Sequence, residues 1–326
     1  MQTPPNLLFW LLFLAFVALM LVLDLGVFNR KARAFSLRQA LGWTVLWVAL
    51  AAGFAVLLYF YGHHMTGDPA QANPHANQRY SLEFVTGYLV EEALSVDNLF
   101  VFLLIFRHFK VPSELQRKVL FWGILGAVLM RALFIGAGVT LLNRFAWLTY
   151  LFGAFLVYAG IKLLFQPAQQ EDPGHKFITR FAQRHLRLTD DFAGGAFITM
   201  RNGARWFTRL ALVLIVIEAT DVIFAVDSIP AVLAVTRQPY IVFTSNIFAI
   251  LGLRSLYFAL AGLMEVFHLL HYGLAIILTF IGVKMLWANY FEIPTAYALG
   301  VVVIVLAGSV ALSVVIRPSL GAKSTK

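Results

Sequence analysis

The chain has 326 residues, of which 60% are hydrophobic and only 13% charged, with a net charge of +9. Soluble domains are roughly 45–50% apolar and about 25% charged, and the mean hydropathy of +0.80 points the same way, so a soluble fold is all but excluded. Cysteine is absent, which excludes disulfides, thiolate metal sites, iron–sulfur clusters and cysteine nucleophiles.

A helix needs about 20 mainly apolar residues to cross a bilayer. Nine segments reach that length: 6–28, 38–61, 82–106, 119–142, 147–165, 210–236, 240–264, 270–289 and 294–316. Irregular backbone cannot face lipid, so these are helices. The expected fold is an all-α polytopic membrane protein. The first span has no basic leader and no small-residue cleavage pattern, so it reads as a retained helix.

Lysine and arginine assign the sides. The loop after span 1 holds Arg30, Lys31, Arg33 and Arg38, and that after span 3 holds Arg107, Lys110, Arg117 and Lys118. The loop after span 5 holds Lys176, Arg180, Arg184, Arg187, Arg201, Arg205 and Arg209, and the tail holds Arg317, Lys323 and Lys326. The opposite face holds only Arg79, Arg144 and Arg237. The N-terminus is therefore expected outside and the C-terminus in the cytoplasm. The positive charge follows from this topology, and no nucleic-acid partner is expected.

The spans also hold Glu91, Glu92, Asp97, Arg131, Lys162, Glu218, Asp221, Asp227, Arg254 and Lys284, with Asp24 and Glu83 near span ends. An ionised group at a helix centre costs roughly 2.5–3.5 kcal/mol on insertion scales. Such groups need partners or water and mark function. Lys162 and Lys284, near span ends, read as snorkelling anchors. Arg131 and Arg254 read either as static charge partners or as gating groups that pair with carboxylates when no ion is bound, and Asp24 reads as a gating group or as a partner of Arg30 or Lys31.

Spans 3–5 resemble spans 6–8. Glu91 and Asp97 stand six apart, as do Asp221 and Asp227; Asn98 and Ser228 follow. Arg131 then matches Arg254, and Gly160-Ile161-Lys162 matches Gly282-Val283-Lys284. A three-span unit must insert its second copy upside down, the plan of many secondary transporters. The expected divisions are 1–81 (two helices and an outer loop), 82–166 (first repeat), 167–209 (cytoplasmic loop), 210–290 (inverted repeat) and 291–326 (last helix and basic tail). By helical rise Glu91, Glu218 and Asp221 are expected to meet near the midplane, with Asp97 and Asp227 on opposite sides. Pro230 removes a backbone donor, so span 6 is expected to open there. In the long loop, residues 175–188 read as a short amphipathic helix, and Asn202-Gly203 as a hairpin turn; together they form a candidate lid.

The strings Glu91-Glu92-Ala93-Leu94-Ser95-Val96-Asp97-Asn98, Glu218 to Ala231 and Thr244 to Phe258 resemble the signatures of the TerC/Alx family, and the likeness covers essentially the whole chain. The resemblance implies a bacterial inner-membrane protein that moves Mn²⁺ outward, with Glu91, Asp97, Asn98, Glu218, Asp221, Asp227 and Ser228 carrying the motif. Glu92 stands where Alx-like relatives often have lysine and is left out of the ligand set. The donors are hard oxygens, which suit Mg²⁺, Ca²⁺ and Mn²⁺. Ligands must lose protons to bind metal, which supplies a route to proton–metal exchange. The expectation is a Mn²⁺ exporter with no bound cofactor and no enzymatic activity; no hydrolase motif lies in the spans. The alternatives are an accessory protein that supplies metal to exported proteins, in contact with the export machinery, and a divalent-cation channel.

Overall fold

In the computed structural model the described residues are 7–28, 37–67, 75–165, 179–180, 184, 186–201, 203–263, 269–288, 290–291 and 293–315; of residues 24–28, 262 and 263 only the backbone is described. Nine long helices lie among them: α1 Leu7–Phe28, α2 Leu37–Thr66, α3 Ala76–His108, α4 Ser113–Arg144, α5 Leu148–Phe165, α6 Arg209–Leu233, α7 Pro239–Leu263, α8 Leu270–Trp287 and α9 Thr295–Val315. They coincide with the nine expected spans, and the chain is a polytopic membrane protein. By length and apolarity alone, six of them qualify as membrane-crossing: α2, α4, α5, α7, α8 and α9. The described apolar stretch of α1 is short, Leu7–Leu23. Helices α3 and α6 carry the carboxylates, which lower their hydropathy.

Burial sorts the helices. From Tyr240 to Leu260 every residue of α7 is buried except Leu256 and Phe258, as expected of a helix enclosed on all sides. Around it, α3 and α2 pack on α7, α6 packs on α4, and α4 also touches α7. Outside them α5 packs on α8, and α9 covers α8 and α3. Side-chain contacts fix the directions. Thr236 at the end of α6 donates to Glu83 near the start of α3 at 2.6 Å, and a side chain at Gly87 would touch Val232. Helices α3 and α6 are thus antiparallel. Tyr257 of α7 meets Phe106 of α3, at the end of α3 remote from Glu83, so α3 and α7 are parallel. Aromatic contacts hold the N-terminal helices to this frame: Phe13 of α1 meets Phe54, Tyr240, Phe243 and Phe248.

Helix–helix contacts close through glycines, as is usual where lipid offers no hydrophobic drive. Gly160 of α5 faces the backbone of Ala275 and Thr279 in α8. Gly282 of α8 faces the backbone of Gly153 and Val157 in α5. A side chain at either position would collide with main chain, which cannot move aside.

Several expected boundaries shift. Helix α2 runs on to Thr66, so His63 and His64 lie in its last turns and not in a loop. Helix α4 starts at Ser113, just after Pro112; proline has no N–H to leave unsatisfied at a helix start. Pro230 does not open α6, which is helical through to Leu233. It lies in the last turn, so only the carbonyl one turn back loses its donor.

The expected hairpin is present as β1 Ile198–Arg201 and β2 Ala204–Phe207, paired antiparallel. Gly203 has φ +73°, the left-handed conformation such a turn needs; Asn202 lies outside the described residues. Most of the expected amphipathic helix 175–188 also lies outside them. The hairpin region docks on the start of α4, where Lys118 Nζ donates to the Gly195 carbonyl at 2.8 Å and Trp122 meets Phe197 edge-on. Thr208 joins this element to α6. Its hydroxyl donates to the Ala196 carbonyl at 2.7 Å and accepts from the amide of Ala211, capping the helix.

Candidate functional site

Four helices meet around one arginine. Arg131, midway along α4, is fully buried, as are Glu91 of α3 and Asn246 of α7; Asp221 of α6 is 6% exposed. Arg131 Nη1 donates to Glu91 Oε1 and to Asn246 Oδ1, the latter at 2.9 Å. Arg131 Nη2 faces Asp221 Oδ1 at 3.9 Å. The Asn246 amide is held in turn by the Val242 carbonyl. Helical spacing builds this arrangement: Asn246 sits one turn after Val242, and Ser95 one turn after Glu91, where its hydroxyl reaches Glu91 Oε1 at 3.5 Å.

The pairing is incomplete. Among the described residues, Glu91 Oε2, Glu92 Oε2, Asp221 Oδ2, Arg131 Nε and Nη2, and Ser228 Oγ are buried without a hydrogen-bond partner. An unmet buried polar atom costs about 1–3 kcal/mol. Those of Glu91, Arg131 and Asp221 belong to one ion-pair cluster, the mark of a site that water or an ion completes.

The layering differs from the sequence expectation. The contacts of Glu83 with Thr236 and of Gly87 with Val232 set the α3/α6 register. Carried on at the helical rise, that register puts Glu91 level with Ser228 and Asp97 level with Val222. The backbones of Glu91 and Asp221 are therefore offset along the bundle axis, and their carboxylates converge on the two terminal nitrogens of one guanidinium. A small cavity of about 20 Å³ agrees with this register, since Leu99 and Phe102 of α3 line it together with Ile217 and Asp221 of α6. Its wall is completed from α4 and by Arg254 of α7. It has room for a water molecule or one ion, and it lies on the hairpin's side of Arg131.

The remaining expected residues stand apart. Glu218 does not join Glu91. Its carboxylate occupies the space that a side chain at Gly126 would fill, so that glycine makes room for it. Asp227 is partly buried, and the charges that act on it are Lys162 and Asp97. Asn98 is buried beside Asp97. No three His, Asp or Glu side chains among the described residues converge on one point, so the seven expected ligands do not form a single chelate in this structure. The Asp24 side chain lies outside the described residues, as do its expected partners Arg30 and Lys31.

One residue escaped the sequence reading. His271, in the first turn of α8, faces Asp97 at 3.5 Å. The available signal was its position inside the expected span 270–289. Asn246 lies within the string Thr244 to Phe258, and the structure puts it on Arg131.

Residues 76–320 match the family described as integral membrane protein TerC family. Among bacterial relatives, the protein named "Putative membrane-bound redox modulator Alx" of Salmonella typhi is 47% identical over 93% of this chain and 92% of its own length. Its namesake in Escherichia coli K12 is 46% identical over the same shares. The membrane protein STKORF319 of Myxococcus xanthus is 45% identical over 94% of this chain and 92% of its own. No solved structure matches the chain.

Proposed function

Because the chain belongs to the TerC family of integral membrane proteins, we propose that it is a secondary transporter that exports Mn²⁺ from the cytoplasm in exchange for protons. The observation that carries this reading is the buried cation between carboxylates: Arg131 holds Glu91 and faces Asp221, with one oxygen of each carboxylate left unpaired. Arg131 stands where a transported cation would neutralise the same charges. When it withdraws, the oxygens of Glu91, Asp221, Ser228 and Asn98 suit a hard divalent ion. Metal binding requires the carboxylates to be deprotonated, and protons from outside discharge the ion. Asp97, Glu218 and Asp227 extend the acidic route on either side, and Arg254 faces the cavity as the counterpart of Arg131.

Alternating access needs two arrangements of one bundle, which an inverted repeat supplies. The packing supports such a repeat of α3–α5 and α6–α8. Exchanging the two units turns the α3–α7 contact into the α6–α4 contact. It also turns the contact of Gly160 with Ala275 and Thr279 into that of Gly282 with Gly153 and Val157. Helices α3 and α6 run antiparallel, as the inversion requires. The proposed location is the bacterial inner membrane, with the N-terminus outside and the hairpin in the cytoplasm.

Several relatives are named as redox modulators. This chain has no cysteine, so thiol–disulfide exchange within it is excluded. A redox effect would act through the supply of metal ions.

The test is flux in proteoliposomes that contain the purified protein and no partner. Mn²⁺ leaving the vesicles' protein-defined cytoplasmic side should be matched by protons entering it, read by a pH dye on each side. Mn²⁺ movement with no proton movement at any imposed gradient overturns exchange. No movement without added export components would favour a metal-supplying accessory role.

A further inference from the structure

The transport reading needs only oxygen ligands, and oxygen ligands alone do not set Mn²⁺ apart from Mg²⁺ or Ca²⁺. The structure places one nitrogen donor beside them. His271 Nε2 lies 2.7 Å from the Leu163 carbonyl of α5. A carbonyl only accepts, so Nε2 carries a proton, and loss of the second ring proton on metal binding would put the lone pair on Nδ1. Nδ1 stands 3.5 Å from Asp97 Oδ1. Two ligand atoms that share one ion at about 2.1 Å, subtending roughly 90–110°, lie about 3.0–3.5 Å apart. The observed gap fits that span. Metal-binding histidines almost always give their other N–H to a carbonyl or carboxylate, and Leu163 fills that role here. The pair is less enclosed than the arginine cluster: the Asp97 side chain is 30% exposed and His271 10% exposed, against 0% for Glu91.

Building on the export reading, we propose that His271 Nδ1 and Asp97 form a cation-loading site, completed by water, that selects Mn²⁺ and other imidazole-binding divalent ions against Mg²⁺ and Ca²⁺. The divalent first-row metals take an imidazole nitrogen, Mn²⁺ the most weakly of them, whereas Mg²⁺ and Ca²⁺ take oxygen donors, so a mixed nitrogen–oxygen pair favours Mn²⁺ over those two alone. The site stands one residue before Asn98, which is level with Asp221 and the cavity beside it. An ion bound there is poised to move inward along α3.

The experiment uses the full chain, purified on a tag without histidine and loaded with Mn²⁺ alone. Pulsed electron paramagnetic resonance reads nitrogen bound directly to Mn²⁺. The wild type should show imidazole coupling, His271→Gln should lose it, and His108→Gln should keep it. In Mg²⁺ competition, His271→Gln should lose its preference for Mn²⁺ by about tenfold or more. His271→Asp, which supplies an oxygen, should still bind Mn²⁺ but with that preference equally reduced. Bound Mn²⁺ without nitrogen coupling in the wild type overturns the site, as does coupling that persists in His271→Gln; unchanged preference in His271→Asp overturns the selectivity. Mn²⁺ flux without coupling removes this site and leaves export standing. Coupling without flux does the reverse, and failure to bind Mn²⁺ at all removes both.

Discussion

Arg131 has more buried polar atoms than partners, and its carboxylates share the imbalance. Removing the arginine leaves Glu91 fully buried without a countercharge. Losing one partner of a buried ion pair typically costs about 3–5 kcal/mol. Arg131→Met should therefore lower the thermal midpoint of the purified protein, and added Mn²⁺ should recover part of the loss by supplying the missing charge. The carboxylates answer to a different readout. Asp97→Asn, Asp221→Asn, Glu91→Gln, Glu218→Gln and Asp227→Asn each keep shape and remove a ligand charge. Each should abolish protection of a sensitive host against excess Mn²⁺ at membrane levels equal to wild type by immunoblot. Glu92→Gln should be milder than Glu91→Gln. If Asp97→Asn and Asp221→Asn both protect like wild type, the acidic cluster is structural.

Helices α5 and α8 make the tightest interface, and glycine makes it possible. A side chain at Gly160 would strike the backbone of Ala275 and Thr279, and one at Gly282 that of Gly153 and Val157. Overpacking of this kind costs about 1–3 kcal/mol. Gly160→Val and Gly282→Val should each lower the thermal midpoint measurably, whereas Gly53→Ala and Gly136→Ala, which meet nothing within 4 Å, should not. An unchanged midpoint in both valine variants would contradict the close approach of α5 and α8. The elements themselves were legible because lipid imposes a minimum apolar length on every span. Their ends were less so. Helix α2 outruns its apolar stretch to Thr66, where the Thr66 hydroxyl bonds back to Gly62. Proline at position 230 carried a helix-breaking signal, and its place in the last turn of α6 cancelled it.

At the scale of the whole molecule, the proposed orientation rests on the skew of basic residues, which would put the hairpin in the cytoplasm. Single cysteines introduced into this cysteine-free chain test that directly. A cysteine at Arg184 should label only from the cytoplasmic side and one at His64 only from outside; labelling of both from one side would contradict the topology. The number of helices, their all-α character and the identity of the buried charges were decided by the sequence itself, because the bilayer penalises every unpaired polar group in a span. Family membership was legible in the same charged strings. What the linear order could not decide was which charges meet. Equal spacing along two helices does not give equal depth, because register depends on where the helices cross. The contact of Glu83 with Thr236 sets that crossing, puts Glu91 beside Ser228 and leaves Arg131 to reach Asp221. The approach of His271 to Asp97 was likewise decided only by packing, since Leu163 of α5 and the first turn of α8 must come together before the imidazole can turn toward the carboxylate.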